Sequence, residues 1–285
     1  MPDILRFRST WGVDPGEGLQ VWREWFPRLK EKGYTGVEID FAGLDNLLGI
    51  RRLADEFGLE IIALVHSHWP KYIGPRPLGV TAKDCLRSYR EQLELAQILR
   101  PFKINAHSGS DHWPLGESLK FYQGTLEVDA ELGLTNKVTH ETHRLRSFYN
   151  PYSTAQILSQ VPGLRVTADI SHWTCVCSRL MDAGPEDDEL LNQIIPHVEH
   201  IHARIGTTQA SQCPDPSNPV FQPEREFFEG LWERIITAAG SKKPVTFTPE
   251  YGPYPYHPFG STRDFSELAD TEGARLQSLF EKWAA

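Results

Sequence analysis

Short apolar, β-branched segments alternate along this chain with longer segments of helical periodicity, and no other feature constrains the fold as strongly. Alternating strands and helices are typical of a parallel sheet, because each helix returns the chain to the edge where the next strand starts. Eight such strands predict an α/β fold, a single (β/α)₈ TIM barrel. The predicted strands are 4–11, 35–40, 59–66, 102–107, 136–141, 165–170, 198–204 and 244–250.

The predicted helices have recognisable ends. The first begins at Asp14 and Pro15, a cap followed by a first-turn proline, and ends at Gly33. Pro27 is expected to kink it, because proline lacks the backbone N–H that an inner turn needs. A doubly wound open sheet is the alternative architecture. It usually has fewer strands, and no glycine-rich phosphate turn follows the first strand here.

The length fits one barrel. A (β/α)₈ barrel takes about 250 residues, so residues 1–285 are expected to form a single domain. The composition is 40% apolar and 24% charged, which is typical of an ordinary globular protein and excludes fibrous or disordered classes. No N-terminal leader pattern and no long uncharged apolar run is present, so the sequence predicts a cytoplasmic protein without membrane association.

The charge balance bears on the partner. A formal net charge of −9 repels a phosphate backbone, so nucleic acid is not an expected partner and a small molecule is. The sequence leaves the oligomeric state open, and a homo-oligomer is compatible with it. Three long segments, 67–80, 205–222 and 251–262, follow strands and are expected at the barrel mouth, as lids or as stiffening loops.

Carboxylates and imidazoles stand at the ends of six of the eight predicted strands. In a parallel barrel these ends meet at one mouth, where enzymes of this architecture carry their active sites. Burying a polar group is costly unless it has hydrogen-bonding or charged partners. One shared site therefore explains these residues better than six unrelated polar positions would. In strand order the residues are His66 with His68, His107, Glu141, Asp169, His202 and Glu250.

Four short segments hold the predicted metal ligands: THETHR (139–144), TADISHW (167–173), HIHAR (200–204) and TPEYGP (248–253). Their three carboxylates and one imidazole suit one divalent ion, Mn²⁺, Mg²⁺, Co²⁺ or Zn²⁺. The alternative is that the carboxylates form ordinary salt bridges with Arg144 or Arg204. The predicted ligands are Glu141, Asp169, His202 and Glu250.

These segments resemble the xylose-isomerase-like TIM barrels, which include sugar phosphate isomerases and epimerases, ketose 3-epimerases, inosose dehydratases and endonuclease-IV-type enzymes. The resemblance runs from strand one to the last helix. It implies the same four metal ligands on strands five to eight. It also implies a functional His172, which completes a D-x-x-H pattern after Asp169, and a substrate contact from Arg204. One departure is visible: ketose epimerases carry a further glutamate where this chain reads RLRSFYN (144–150).

The remaining site residues are predicted from their places on strands. His66 is favoured over His68 as the inward residue, because neighbours on a strand alternate. His107 is expected to be a second-metal ligand, a substrate contact or a core histidine. Trp11 and Glu38 also stand at or beside strand ends, and Trp11 is expected either to form an aromatic wall for a sugar or to pack in the core. His140 and His143 are expected to pack outward or to bond to a ligand from behind.

The predicted chemistry is isomerisation or epimerisation of a sugar, keto-sugar or related polyol by proton transfer through a metal-stabilised enediolate. Glu141 and Glu250 are the expected bases, and His172 is the third expected catalytic residue. Substrate contacts are expected from His66, His107, Arg204 and Trp11. A lyase or dehydratase that uses His172 or His107 as an acid is the first alternative.

An endonuclease-IV-like phosphodiesterase is the second alternative. Its three-zinc pattern resembles the histidines and carboxylates of this chain, but it also needs an aspartate and a histidine two apart after strand seven. That stretch contains Asp215 and Ser217 instead, and the chain is acidic, so the nuclease ranks lower. A non-catalytic binding barrel would explain the fold but not the ligand set.

Overall fold

A computed structural model describes residues 2–13, 18–240 and 244–285 of the chain. Eight parallel strands form a closed barrel in sequence order, and the first strand pairs with the last. Each observed strand lies inside a predicted one, so the predicted (β/α)₈ barrel is confirmed. The strands are β1 (Ile4–Ser9), β2 (Gly36–Asp40), β3 (Glu60–His66), β4 (Lys103–His107), β5 (Val138–Glu141), β6 (Val166–Ala168), β7 (Val198–His202) and β8 (Val245–Thr248).

Nine α-helices are present among the described residues, one more than a plain (β/α)₈ count, because two helices follow β6. None of them is long and apolar enough to cross a membrane. They are α1 (Gln20–Glu31), α2 (Leu47–Glu56), α3 (Ala82–Ala96), α4 (Leu115–Glu131), α5 (Pro151–Gln160), α6 (Ser171–Cys177), α7 (Pro185–Ile194), α8 (Gln222–Ala239) and α9 (Phe265–Ala284).

Helix ends follow the expected chemistry where they are described. The side chain of Asn150 accepts a hydrogen bond from the backbone N–H of Ser153 at 2.9 Å and so caps α5, which has Pro151 in its first turn. Thr81 and Asp84 form a reciprocal capping box at the start of α3. The predicted start of the first helix at Asp14-Pro15 lies outside the described residues.

The strands alternate between two environments. One set of side chains, such as Val37, Ile61 and Ile104, packs in the apolar core between barrel and helices. The other set faces the barrel interior and is unusually polar, including Glu38 and Asn105, whose side chains hydrogen bond to each other at 3.1 Å. Parallel strands usually read as continuous apolar runs, so these interior polar groups need partners and form the base of the site.

The long loops surround the carboxyl end of the barrel, as expected. Residues of 67–80 and 251–262 line the cavity there, which makes both segments part of its wall. Segment 205–222 braces the wall from behind, because Gln212 both donates to the Gly252 carbonyl at 3.1 Å and accepts from the Gly252 N–H at 2.9 Å. Two short 3₁₀ turns lie within the first and second segments, Pro70–Tyr72 and Pro219–Phe221.

Candidate active site

A cavity of about 750 Å³ opens at the carboxyl end of the barrel. Most of the predicted site residues form its wall, and the others contact that wall from behind. Those in the wall are Trp11, His66, His107, Glu141, Arg204 and Glu250. Asp169, His172 and His202 are buried immediately behind them.

The four predicted metal ligands converge at the base of this cavity. One donor atom from each of Glu141, Asp169, His202 and Glu250 lies within 4.8 Å of all the others. Glu141 and His202 are the last residues of β5 and β7, and the other two follow β6 and β8 by one or two residues. The barrel register therefore brings together side chains that are far apart in sequence, at a spacing that one ion can bridge.

The orientation of His202 tests whether a metal fits. Its Nε2 atom lies 3.0 and 3.1 Å from the two carboxylate oxygens of Glu38, so this nitrogen donates its proton there. Its Nδ1 atom faces Glu250 at 3.2 Å and Glu141 at 3.5 Å. Burial acts to lower the pKa of His202, but the carboxylates of Glu250, Glu38 and Glu141 raise it well above the usual value, so Nδ1 holds a proton toward the carboxylates unless a metal ion takes its place. A buried acceptor, Oε1 of Glu141, lacks a hydrogen-bond partner. A divalent cation satisfies both groups, so the residues fit a metal.

The alternative prediction, salt bridging by arginine, is realised in part. Arg204 forms an ion pair with Asp169 and lies 3.2 Å from Oε2 of Glu250. One guanidinium faces four carboxylates, however, because Glu38 and Glu141 belong to the same cluster. A buried cluster with this excess of negative charge is costly unless a further cation is present. The charge balance therefore also fits a divalent ion.

Burial and neighbouring charges oppose each other in the cluster. Burial raises the pKa of Asp169, and the Arg204 guanidinium acts against that rise. Burial would also raise the pKa of Glu141, but the imidazoles of His107 and His202 hold it well below its usual range. Glu141 is therefore ionised, which is the form that can bind a cation and accept a proton.

Glu38 on β2 has a larger role than its position at a strand end indicated. Besides His202, its carboxylate accepts hydrogen bonds from Thr248 at 2.6 Å and Asn105 at 3.1 Å, and it lies 3.4 Å from His200. Burial acts to raise the pKa of Glu38, but the two imidazoles lower it well below the ordinary value. The Glu38 carboxylate thus orients a predicted ligand from inside the barrel. The polar alternation of β2, β4, β7 and β8 was the available sequence signal.

His107 is a direct partner of Glu141. Its Nε2 atom lies 2.7 Å from Oε2 of Glu141, and its Nδ1 atom lies 2.7 Å from the hydroxyl of Tyr72. Arg146 donates to that hydroxyl at 3.1 Å, so Tyr72 directs its own proton away from the arginine. His107 then accepts at Nδ1 and carries its proton at Nε2, the nitrogen that faces Glu141. The structure places this histidine at the wall of the cavity.

His143 differs from the expectation of outward packing. It lines the cavity, its ring centroid lies 3.9 Å from that of His172, and it stacks on Tyr72 at 5.1 Å. Its neighbour His140 does point away, where it pairs with Ser108 at 2.8 Å. The offset from Glu141 misled the prediction, because the strand ends at Glu141 and strand alternation no longer applies at His143.

His172 and His66 occupy different positions. His172 accepts a hydrogen bond from Arg204 at 3.2 Å, and burial followed by the charge of Arg204 lowers its pKa well below the usual value. His66 lies in the cavity wall, 3.3 Å from Asp40, and burial lowers its pKa to about 4. His68 turns behind the wall, where Arg146 donates to it at 2.9 Å. Both His172 and His66 are therefore neutral near pH 7.

An aromatic wall stands on the β1 and β8 side of the cavity. The rings of Trp11 and Tyr256 meet edge to face with centroids 4.6 Å apart. Gly252 lets Trp11 approach, because a β-carbon there would lie 2.3 Å from the indole. The guanidinium of Arg204 lies over both rings, and that of Arg144 lies over Tyr256 at 4.7 Å. This wall offers a flat apolar face beside charged groups.

Comparisons with known proteins identify the fold. Neither a family model nor a curated protein matches the sequence. Among solved structures, an L-ribulose 3-epimerase superposes with a TM-score of 0.65 at 12% identity, covering 99% of this chain and 95% of the epimerase. The chain has the xylose-isomerase-like TIM-barrel fold.

Other barrels of this fold carry other activities. A probable 3-DHS dehydratase from Bacillus anthracis matches with a TM-score of 0.56 at 16% identity, over 97% of this chain and 98% of the dehydratase. An AP endonuclease of family 2 from Brucella melitensis matches with a TM-score of 0.58 at 17% identity, over 92% and 95% of the two chains. Similarity at this level establishes the fold, and the activity has to be argued from the site.

Proposed function

We propose that this protein is a divalent-metal-dependent isomerase or epimerase that acts on a sugar, keto-sugar or related polyol by proton transfer. The observation that carries the proposal is the convergence of Glu141, Asp169, His202 and Glu250 at the base of an open cavity. Two of these ligands, Glu141 and Glu250, also line the cavity, where a substrate would meet them. Mn²⁺, Mg²⁺, Co²⁺ and Zn²⁺ all suit this ligand set.

A divalent ion supplies Lewis-acid polarisation of a substrate carbonyl when it is bound. The two glutamates supply the proton transfer in this proposal. Oε2 of Glu141 is held by His107 and by Asn105, the latter at 2.6 Å, while Oε1 has no hydrogen-bond partner. Such a carboxylate is ionised and oriented, and in the proposal the oxygen that does not bind the metal takes the proton from carbon.

Glu250 reaches the same cavity from the end of β8, three strands around the barrel from Glu141 on β5. Two carboxylates on opposite sides of one carbon allow one to remove a proton and the other to return it, which is epimerisation. One carboxylate that moves a proton between adjacent carbons gives aldose–ketose isomerisation. The proposal covers both reactions, since both use the same residues.

The rest of the wall suits a small polar ring or chain. Trp11 and Tyr256 offer an apolar face, and His66 and His107 offer imidazole nitrogens for hydroxyl groups. Arg204, which we expected to contact substrate, uses its guanidinium nitrogens on protein acceptors and positions Asp169 and Glu250. The proposal assigns substrate binding to Trp11, His66 and His107 in this wall.

The test is conversion of keto-sugars in D₂O by the protein supplied with Mn²⁺. We expect deuterium to enter the carbon next to the carbonyl, together with a new isomer or epimer, and both signals to disappear on chelation. Nuclear magnetic resonance detects label and product in one sample. A protein that binds no divalent ion at any stoichiometry, or that converts the sugars without exchange, contradicts the proposal.

Two alternatives use the same barrel. A dehydratase would need an acid at the departing oxygen, for which His107 is placed in the wall, and loss of water from the labelled substrate would reveal it. The nuclease is disfavoured by Ser217, whose hydroxyl donates to Asp215 at 2.6 Å where a third-metal histidine is required. We expect no cleavage of a DNA duplex that contains an abasic site.

A further inference from the structure

Arg144 stands in the segment where the ketose epimerases carry an extra glutamate, and its surroundings differ from those of Arg204. Arg204 is buried, and all three of its guanidinium nitrogens contact protein acceptors. Nε donates to Ser171 at 3.2 Å, Nη1 donates to the Glu250 carbonyl at 3.1 Å, and Nη2 pairs with Asp169. This guanidinium is committed to holding the ligand cluster.

Arg144 is half-buried and lines the same cavity. Its guanidinium lies over the ring of Tyr256 at 4.7 Å, a cation–π contact that holds it beside the cavity. Within residues 2–13, 18–240 and 244–285 it forms no ion pair with a carboxylate, whereas Arg204 on the same ring forms two. Arg144 therefore presents oriented N–H donors to the cavity without a protein anion to receive them.

The acidic groups of the wall contact basic groups other than Arg144. Glu250 pairs with Arg204, Glu38 contacts His202, Glu141 contacts His107, and Asp40 lies 3.3 Å from His66. Lys71, a second cation in the cavity wall, acts on Asp40. The guanidinium of Arg144 lies 4.7 Å from the ring centroid of Tyr256, and burial raises the pKa of that phenol, so Tyr256 supplies no negative charge. A half-buried guanidinium in such surroundings favours an anionic ligand.

We propose that Arg144 binds an anionic group of the substrate, a carboxylate or a phosphate, while the carbonyl end lies at the Glu141 and Glu250 carboxylates. The substrate is then a sugar acid or a sugar phosphate rather than a neutral ketose. This inference rests on the proposed function and narrows its substrate class. The guanidinium groups of Arg144 and Arg204 both lie over the ring of Tyr256, at 4.7 and 5.0 Å from its centroid, so the proposed anion site adjoins the residues that hold the metal ligands.

The test compares matched charged and neutral ligands by isothermal titration calorimetry, on protein supplied with Mn²⁺. D-gluconate is compared with D-glucitol, and D-glucose 6-phosphate with D-glucose. We expect the wild-type protein to prefer the charged member of at least one pair by about tenfold or more. The pair that shows the preference distinguishes a carboxylate from a phosphate as the group that is bound.

Three variants assign the preference to Arg144. Arg144→Gln should reduce the preference for the charged ligand to about threefold or less. Arg144→Lys should retain part of this preference, because lysine keeps the positive charge but loses the two-pronged geometry of the guanidinium. Arg87→Gln is the matched control, since Arg87 is exposed on α3 and the net charge changes equally. Circular dichroism melting verifies that each variant folds.

The inference is overturned if the wild-type protein shows no preference in either pair, or if the preference survives unchanged in Arg144→Gln. Binding is measured without turnover, so the outcome is independent of the D₂O experiment. Anion binding that depends on Arg144 without any deuterium exchange would contradict the proposed function alone. Exchange without such anion binding would contradict this inference alone.

Discussion

The Nε2 atom of His202 lies 3.0 Å from Oε1 of Glu38, and this contact determines which way the imidazole faces. Since Nε2 donates to Glu38, the opposite nitrogen, Nδ1, faces Glu141 and Glu250, where a metal ion would displace its proton. A carboxylate behind a histidine fixes its tautomer and increases its basicity as a metal ligand. Glu38 thereby orients one ligand of the proposed metal site.

Glu38→Gln tests this relationship. An amide can accept from His202 but offers less negative charge and can present its NH₂ group instead, so we expect Mn²⁺ or Zn²⁺ affinity to fall by about 10- to 100-fold. Competition with a chelating dye measures the affinity. The control is Glu60→Gln, an exposed carboxylate at the start of β3. Unchanged metal affinity in Glu38→Gln would mean that Glu38 is a structural residue only.

Tyr72→Phe tests the orientation of His107. The hydroxyl accepts from Arg146 and donates to His107, so its loss leaves two buried polar atoms without partners. We expect a stability loss of about 1–3 kcal/mol. We also expect deuterium exchange to slow by about tenfold at saturating substrate, because the partner of Glu141 loses its fixed tautomer. Wild-type exchange in the folded variant would show that Tyr72 does not act through His107.

Asp129 on α4 gives a pH prediction that is independent of the active site. Burial raises the pKa of its carboxyl to about 7, although the hydroxyl of Tyr89, 2.7 Å away, acts to lower it. An unfolded aspartate has a pKa near about 3.9, so the folded state binds more protons between these values. This contribution to stability is fully present below about pH 4 and is lost as the pH rises through about 7.

In Asp129→Asn the side chain stays neutral and can still accept the hydrogen bond from Tyr89. The variant should therefore not lose stability as the pH rises through about 7. We expect the stability of the variant relative to the wild-type protein to be greater at pH 8 than at pH 5, by a margin on the order of 2 kcal/mol. Urea unfolding at both pH values measures the free energy of unfolding of each protein. The difference between variant and wild type removes the effect of the other titrating groups, which the two proteins share. An advantage that is equal at both pH values would exclude the raised pKa.

The sequence predicted the barrel because strand and helix periodicities are local properties of the chain. It predicted Glu141, Asp169, His202 and Glu250 as a group because parallel strand ends share one mouth. It did not predict the role of Tyr72, whose position depends on a loop with left-handed backbone near Lys71. Its prediction that Arg204 contacts substrate stays a prediction. The protein acceptors that Arg204 also contacts, Asp169 and the Glu250 carbonyl, follow β6 and β8 and could not be predicted from a linear motif.

The final prediction separates the two proposed bases. If Glu141 and Glu250 act on opposite faces of one carbon, replacing either with glutamine leaves the other base intact. Each variant should then fail to interconvert epimers but should still exchange the proton of the one epimer that faces its remaining carboxylate. Saturating Mn²⁺ offsets the weaker metal binding that an amide ligand causes. The two variants should therefore label opposite epimers in D₂O, each without inversion.

If a single glutamate moves the proton instead, only its own replacement abolishes exchange, and the other variant labels as the wild-type protein does. Exchange at the wild-type rate with both epimers in both variants would place the base elsewhere, with His107 in the cavity wall next in line.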